Sequence, residues 1–191
     1  MRTVACGALI AVSSGHAHAG ARLPISDAVL HRQWKGQWIA CAGAPERDAG
    51  VYRFRKVLEL PSAPARFLVH MSGDQRFVLF ANGKRVGIGP SRGDIDHWRF
   101  ETFDLALFLK AGKNLLVALV WSFGTRAPAA QVSDRTGFVA QGDGADEAVA
   151  NTDASWQCAP EPGHQPWPEG TLPLRQIGTY FVVGPGERLD A

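Results

Sequence analysis

Apolar and polar positions alternate along much of the chain. In "VYRFRKVLEL" (51–60), Tyr52, Phe54, Leu58 and Leu60 fall on one face, and Arg53, Arg55 and Glu59 on the other. A period of two marks a half-buried β-strand, and Pro61 and Pro64 end it. "ARFLVHMSG" (65–73) repeats the pattern, with Phe67, Val69 and Met71 on one side. "QRFVLFANGKRVGIG" (75–89) is a pair of apolar runs around Asn82-Gly83. Asn-Gly tolerates the positive φ angles of a type I′ turn, so these runs predict a hairpin. "NLLVALVWSF" (114–123) is apolar on both faces: Leu116, Ala118 and Val120 oppose Leu115, Val117, Leu119 and Trp121. Such a strand is expected at the centre of a sheet, covered on both sides.

Shorter strands are predicted at "QWIACAG" (37–43), "WRFETFDL" (98–105), "TGFVAQGD" (136–143), "SWQC" (155–158) and "TYFVVG" (179–184). Asp104 caps one helical turn over "LALFLKAG" (105–112), and Gly112 stops it. No long amphipathic helix breaks the series. Close-spaced strands separated by Gly, Pro and Asp turns predict an all-β fold, an antiparallel β-sandwich of the jelly-roll kind. The sandwich domain spans 36–159, after a loose lead-in over 20–35. Residues 160–191 form a wrapping segment plus a final strand, and "PEPGHQPWPEGTLPLRQ" (160–176) is proline-rich and extended.

Composition narrows the function. The 191 residues suit one medium domain, with 46% apolar residues and six tryptophans to build a core. Twenty basic and 18 acidic side chains leave a charge of +2, and neither sign runs in blocks. Nucleic acid and a membrane surface are therefore not expected partners. Residues 1–19, "MRTVACGALIAVSSGHAHA", read as a signal peptide. Arg2 leads a short apolar run, and Ala17-His18-Ala19 fits cleavage after Ala19, so a secreted or periplasmic location is expected. Cys41 and Cys158 then remain. A disulfide between them and a pair of lone buried thiols are both compatible with that count. No Cys-x-x-Cys or His-x-x-x-His spacing supports a metal site.

The loop "GPSRGDIDHW" (89–98) concentrates the candidate chemistry. Gly87-x-Gly89 has Arg92 where a dinucleotide loop needs its third glycine, and no helix follows. Arg92-Gly93-Asp94 matches an adhesion tripeptide but reads better as a turn. Asp94 and Asp96, two apart on one loop, suit solvated turn formers rather than glycosidase carboxylates facing each other across a cleft. "GDGADE" (142–147) does not have the spacing of a calcium loop. His70, among apolar neighbours, reads as a satisfied core histidine. Trp98 beside Arg92 and Asp96 offers a sugar-stacking platform, or else it begins the next strand and is buried. No catalytic residue, metal or cofactor is expected.

The ordered motifs "WIACAG", "VYRFRKVLEL", "FLVHMSGDQRFVLFANGKRVGIGPSRGDIDHWRFETFDLALFLKAGKNLLVALVW", "AQVSDRTGFVAQGD", "NTDASWQC" and "YFVVGPGE" carry a family likeness. Together they resemble the N-terminal β-sandwich region of bacterial α-L-rhamnosidase-like glycoside hydrolases. "LFANGKRVG" and "FETFDLALFLKAGKN" are also similar to the sugar-binding-type jelly roll of the wider β-galactosidase group. The resemblance runs from about Trp34 to Glu187. It implies a non-catalytic accessory domain of such a hydrolase, a truncated or split-gene product ending near where the catalytic (α/α) barrel would begin. That barrel, in cis or in trans, is the implied partner, with a rhamnose-containing glycan as ligand. Arg92, Asp94, Asp96 and Trp98 are the candidates for contact with a sugar or a neighbouring domain. The rival is a free-standing carbohydrate-binding module with Trp98, Trp121 or Trp167 as its platform.

Overall fold

The computed structural model describes residues 23–124, 127–128, 131–166, 176–177, 180–181 and 187–190. The expected signal peptide and Trp167 lie outside these residues. Two antiparallel sheets face each other. The larger contains β1 (Gly50–Leu60), β3 (Arg76–Ala81), β4 (Lys84–Gly89), β6 (Gly112–Ser122) and β8 (Gln157–Pro160), in the order β4-β3-β6-β1-β8. The smaller contains β2 (Leu68–Asp74), β5 (Glu101–Asp104) and β7 (Gly137–Gly142), in the order β5-β2-β7. Apart from the β3–β4 hairpin, the chain changes sheet between successive strands of this sandwich, as in a jelly roll. Two-stranded ribbons join β9 (His164–Pro166) to β12 (Glu187–Leu189), and β10 (Gln176–Ile177) to β11 (Tyr180–Phe181).

The period-two pattern sets the inner faces. In β1, Tyr52, Phe54, Leu58 and Leu60 are buried while Arg53, Arg55 and Glu59 are exposed. β1 pairs with β6 along its whole length, from Gly50 opposite Ser122 to Leu60 opposite Gly112. Across the sandwich the Phe138 ring of β7 meets Phe54 at 5.6 Å, Phe77 at 5.7 Å and Trp156 at 5.5 Å. Tilted and edge-on pairs at such distances add to the burial of the rings themselves.

The hairpin turn forms at Asn82 and Gly83, with φ of 49° and 78°. The Asn82 side chain then ties the turn to β6. Its amide donates to the Asn114 side-chain oxygen (2.8 Å), and its own oxygen accepts from the Leu115 amide (2.9 Å). β6 lies at the centre of its sheet, as its pattern predicts. Its outer face is only partly covered, however: Val117 and Leu119 are half-buried and Leu115 is exposed. Over 105–112 the expected helical turn is a 3₁₀ turn, Ala106–Phe108, with the Asp104 carboxylate accepting from the Ala106 and Phe67 amides.

The smaller sheet departs from the alternation. All seven residues of β2 are buried, so its second face, carrying Leu68, His70 and Ser72, is covered as well. The cover comes from distant parts of the chain. The described part of the lead-in, 23–35, contains a short helix, α1 (Asp27–His31), and Gly36 just after it runs against β7, where a Cβ would stand 2.1 Å from the Ala140 carbonyl. Trp34 and Phe100 then close over His70, their rings 6.3 and 5.6 Å from the imidazole. The stretch 37–43 is not a strand; it contributes one bridge, with the Ile39 and Phe138 amides each donating to the other's carbonyl. Cys41 and Cys158 form a disulfide that joins this stretch to β8.

His70 is fully buried, bonded to Thr102 Oγ1 at 2.9 Å and to Asp143 Oδ1 at 3.2 Å. Burial pushes its pKa below the ordinary histidine value of 6.5, against the pull of Asp143 and Glu147. The unfolded chain therefore takes up the proton first as pH falls. The stability this neutral imidazole contributes is complete above pH 6.5 and is lost as pH drops through the lowered folded value. Urea midpoints measured across this range should fall on acidification, and His70→Gln should flatten the fall. The disulfide closes a sequence separation of 117 residues. A Cys41→Ser, Cys158→Ser double variant is expected to lose about 2–5 kcal/mol in urea unfolding. Reductant should lower the wild-type unfolding free energy by a similar amount and leave the variant unchanged.

Candidate functional site

One end of the sandwich is built from four chain segments. These are residues 38–46, the C-terminal end of β2, the loop leading to β5, and residues 134–137 at the start of β7. They surround a cleft of about 570 Å³. Trp38 and Ile95, 50% and 62% exposed, line its mouth. The Trp38 and Trp98 rings stand perpendicular, with centroids 5.7 Å apart. Trp98 is held from behind: its indole N–H donates to Ser72 Oγ (2.9 Å), whose hydroxyl donates to the Arg99 carbonyl (2.7 Å). Trp38 rests on Gly137, where a Cβ would come within 3.2 Å of the indole. Backbone bonds on either side, from Gln37 to Thr152 and between Ile39 and Phe138, fix its position.

Asp74 and Thr136 also line the cleft, and only 1% and 4% of their surface reaches solvent. Asp74 Oδ2 accepts from the Asp134 and Arg135 amides at 2.8 and 2.9 Å. Thr136 Oγ1 is buried without a hydrogen-bond partner. Burial raises the Asp74 pKa above the ordinary carboxyl value, opposed by the Ser133 hydroxyl and the two amides, with the neighbouring Asp134 charge adding to the rise. An apolar, aromatic wall beside a few hydrogen-bonding groups is the general makeup of a small-molecule pocket.

The four loop candidates do not converge. Trp98 lines the cleft; it is half-buried and lies ahead of β5, which begins only at Glu101. Arg92 and Asp94 border a narrow gap on the other side of Trp98. Asp94 acts as a turn former: its Oδ1 accepts from the Asp96 amide (3.0 Å), the His97 amide (2.8 Å) and His97 Nδ1 (2.9 Å). The His97 bond holds the Asp94 carboxyl below its ordinary pKa. Asp96 is exposed, and its backbone serves the same turn. Trp121 offers no platform, since it is buried with the Arg76 guanidinium 5.2 Å from its ring centre. In "GDGADE", Asp143 is engaged by His70 and Arg66, and Glu147 accepts from the Gly144 amide. Among the described residues no three His, Cys, Asp or Glu side chains group to hold a metal ion.

Sequence patterning misses Trp38, Asp74 and Thr136. One signal for Asp74 was present: a carboxylate closing a run, Phe67 to Gly73, in which His70 and Ser72 are the other polar side chains.

No protein-family model and no curated protein matches the chain. Solved structures do. A GH78 family rhamnosidase of Bacillus sp. GL1 superposes with a TM-score of 0.67 at 28% identity, over 83% of this chain and 16% of the other. The chain is similar to one domain-sized part of a GH78 rhamnosidase. The α-L-rhamnosidase from Dictyoglumus thermophilum (TM-score 0.52, 21% identity) matches over 68% of this chain and 17% of its own. The native enzyme from Aspergillus terreus (0.51, 18%) matches over 72% and 18%. These two share the fold. The chain thus spans between 16% and 18% of the length of the three rhamnosidases.

Because the Thr136 hydroxyl has no partner, Thr136→Val should leave folding stability within about 1 kcal/mol of wild type. Urea unfolding checks this; a larger loss would mean the hydroxyl is bonded in solution.

Proposed function

We propose that the chain is a non-catalytic accessory β-sandwich domain of a secreted α-L-rhamnosidase-like glycoside hydrolase, packing on a catalytic domain and contacting carbohydrate. The observation that carries this reading is the likeness to the Bacillus rhamnosidase, 28% identical over 83% of this chain but only 16% of that one. Glycoside hydrolysis ordinarily needs two carboxylates flanking the scissile bond. The acidic pair on the 89–98 loop does not fit that role, because Asp94 is committed to its own turn. The disulfide supports an oxidising compartment. The catalytic partner is supplied in cis or in trans. The open cleft beside Trp38 also favours a second reading, a free-standing carbohydrate-binding module.

A fluorogenic α-L-rhamnoside assay on the purified chain tests the non-catalytic role. No turnover above buffer is expected. Reproducible turnover abolished by Asp94→Asn or Asp96→Asn would overturn the reading.

A further inference from the structure

A second concavity, of about 620 Å³, lies on the outer face of the larger sheet where β3 and β4 meet the turn at 89–92. Along β3, Arg76, Val78 and Phe80 point outward, because Phe77, Leu79 and Ala81 are the buried set. β4 places Ile88 opposite Val78 and Arg85 opposite Phe80. Arg92 comes shortly after Gly89, the partner of Phe77, and lines the groove with Arg76. Along the strands the groove therefore runs cation, apolar, cation: Arg76 and Arg92, then Val78 and Ile88, then Arg85. Arg76 and Phe80 are four residues apart on β3, about 13 Å in a strand. Ile88 is 58% exposed. Arg85 and Arg92 are exposed and make no ion pair among the described residues. Of the acids beside them, Glu101 accepts from the Ser91 amide and hydroxyl, and Glu187 pairs with Arg76 at 3.1 Å. Cations near an edge strand often only guard it against other strands. Guarding needs no open apolar strip between the charges, and such a strip fits a partner that covers it.

We propose that this groove docks an extended acidic segment of a partner protein, with carboxylates at positions i and i+4 and an apolar side chain at i+2. In an extended chain those three side chains share one face and span about 13 Å, the length of the groove. The carboxylates meet the guanidinium groups, whose planar forks suit them, and the apolar side chain covers Val78 and Ile88. A polyuronate carries charge on every unit and offers nothing apolar to that strip. A second copy of this chain brings arginine to arginine and is disfavoured. The inference goes beyond the accessory role and does not depend on carbohydrate contact. Of the four loop candidates it uses Arg92 alone, since Asp94, Asp96 and Trp98 do not line the groove.

Fluorescence anisotropy of a labelled Thr-Glu-Thr-Val-Thr-Glu-Thr peptide, titrated with the whole chain, tests the proposal. Binding at about 10–100 μM is expected at low salt, weakening as salt rises. The same peptide with lysine in place of glutamate should not bind. Arg85→Glu combined with Arg92→Glu should weaken the acidic peptide about tenfold or more and let the lysine peptide bind. Both positions are exposed, so the exchange is compatible with folding. Ile88→Ser should weaken the acidic peptide about fivefold. Arg55→Ser, on the same sheet but outside the groove, should leave affinity unchanged. No change in anisotropy, or binding that survives the double exchange, overturns the proposal. Polygalacturonate bound as tightly as the peptide also overturns it and makes the groove a general polyanion surface. A dimer in sedimentation that the double exchange dissociates overturns it in favour of a second copy.

Discussion

The position of Phe138 between the two sheets is the constraint on which most of the molecule depends. Its ring meets Phe54, Phe77 and Trp156 in the core, while its backbone amide and carbonyl hold Ile39. One residue therefore joins the inter-sheet packing to the segment that carries Trp38. Sheets packed face to face need interdigitating side chains from both sides, and here that need also fixes where a surface tryptophan stands. The geometry of the cleft follows from the core instead of from flexible loops alone.

A second dependence runs through the outer face of β2. His70 and Ser72 point away from the core of the sandwich, yet both are buried. Trp34 and Phe100 close over the imidazole, and Trp98 is tethered to the serine. The lead-in and the 89–100 loop thereby form a third layer over the smaller sheet. This explains why Trp98 is half-buried without belonging to a strand: its indole is wedged between β2 and Trp38.

The fold was legible where one strand's own periodicity decides the outcome. β1 and the Asn82-Gly83 hairpin are local patterns, and they form where the alternation and the turn chemistry put them. The cover of β2 was not legible, because period-two alternation records which face a strand turns inward, not what lies over the other. β6 shows the same limit from the opposite side: its apolar outer positions are only half covered. The site was harder still to read. Trp38, Asp74, Trp98 and Thr136 come from four segments spread over about a hundred residues, and no spacing rule links them. The loop that looked most chemical, with its Arg-Gly-Asp and paired aspartates, spends much of its polarity on closing a turn. The β-sandwich shared with parts of larger rhamnosidases supplies the scaffold, and the segments at its end supply whatever distinguishes this one.

The Cys41–Cys158 disulfide has a consequence for the order of assembly. During synthesis Cys41 emerges ahead of every strand of the sandwich, and its partner follows only after β7 is complete. The bond joins the segment beside Trp38 to an edge strand that can dock only on a β1 already in place. Bringing together residues this distant in sequence costs more chain entropy than pairing neighbouring strands. The Trp38 wall can thus be covalently locked only after the chain through β8 has been made.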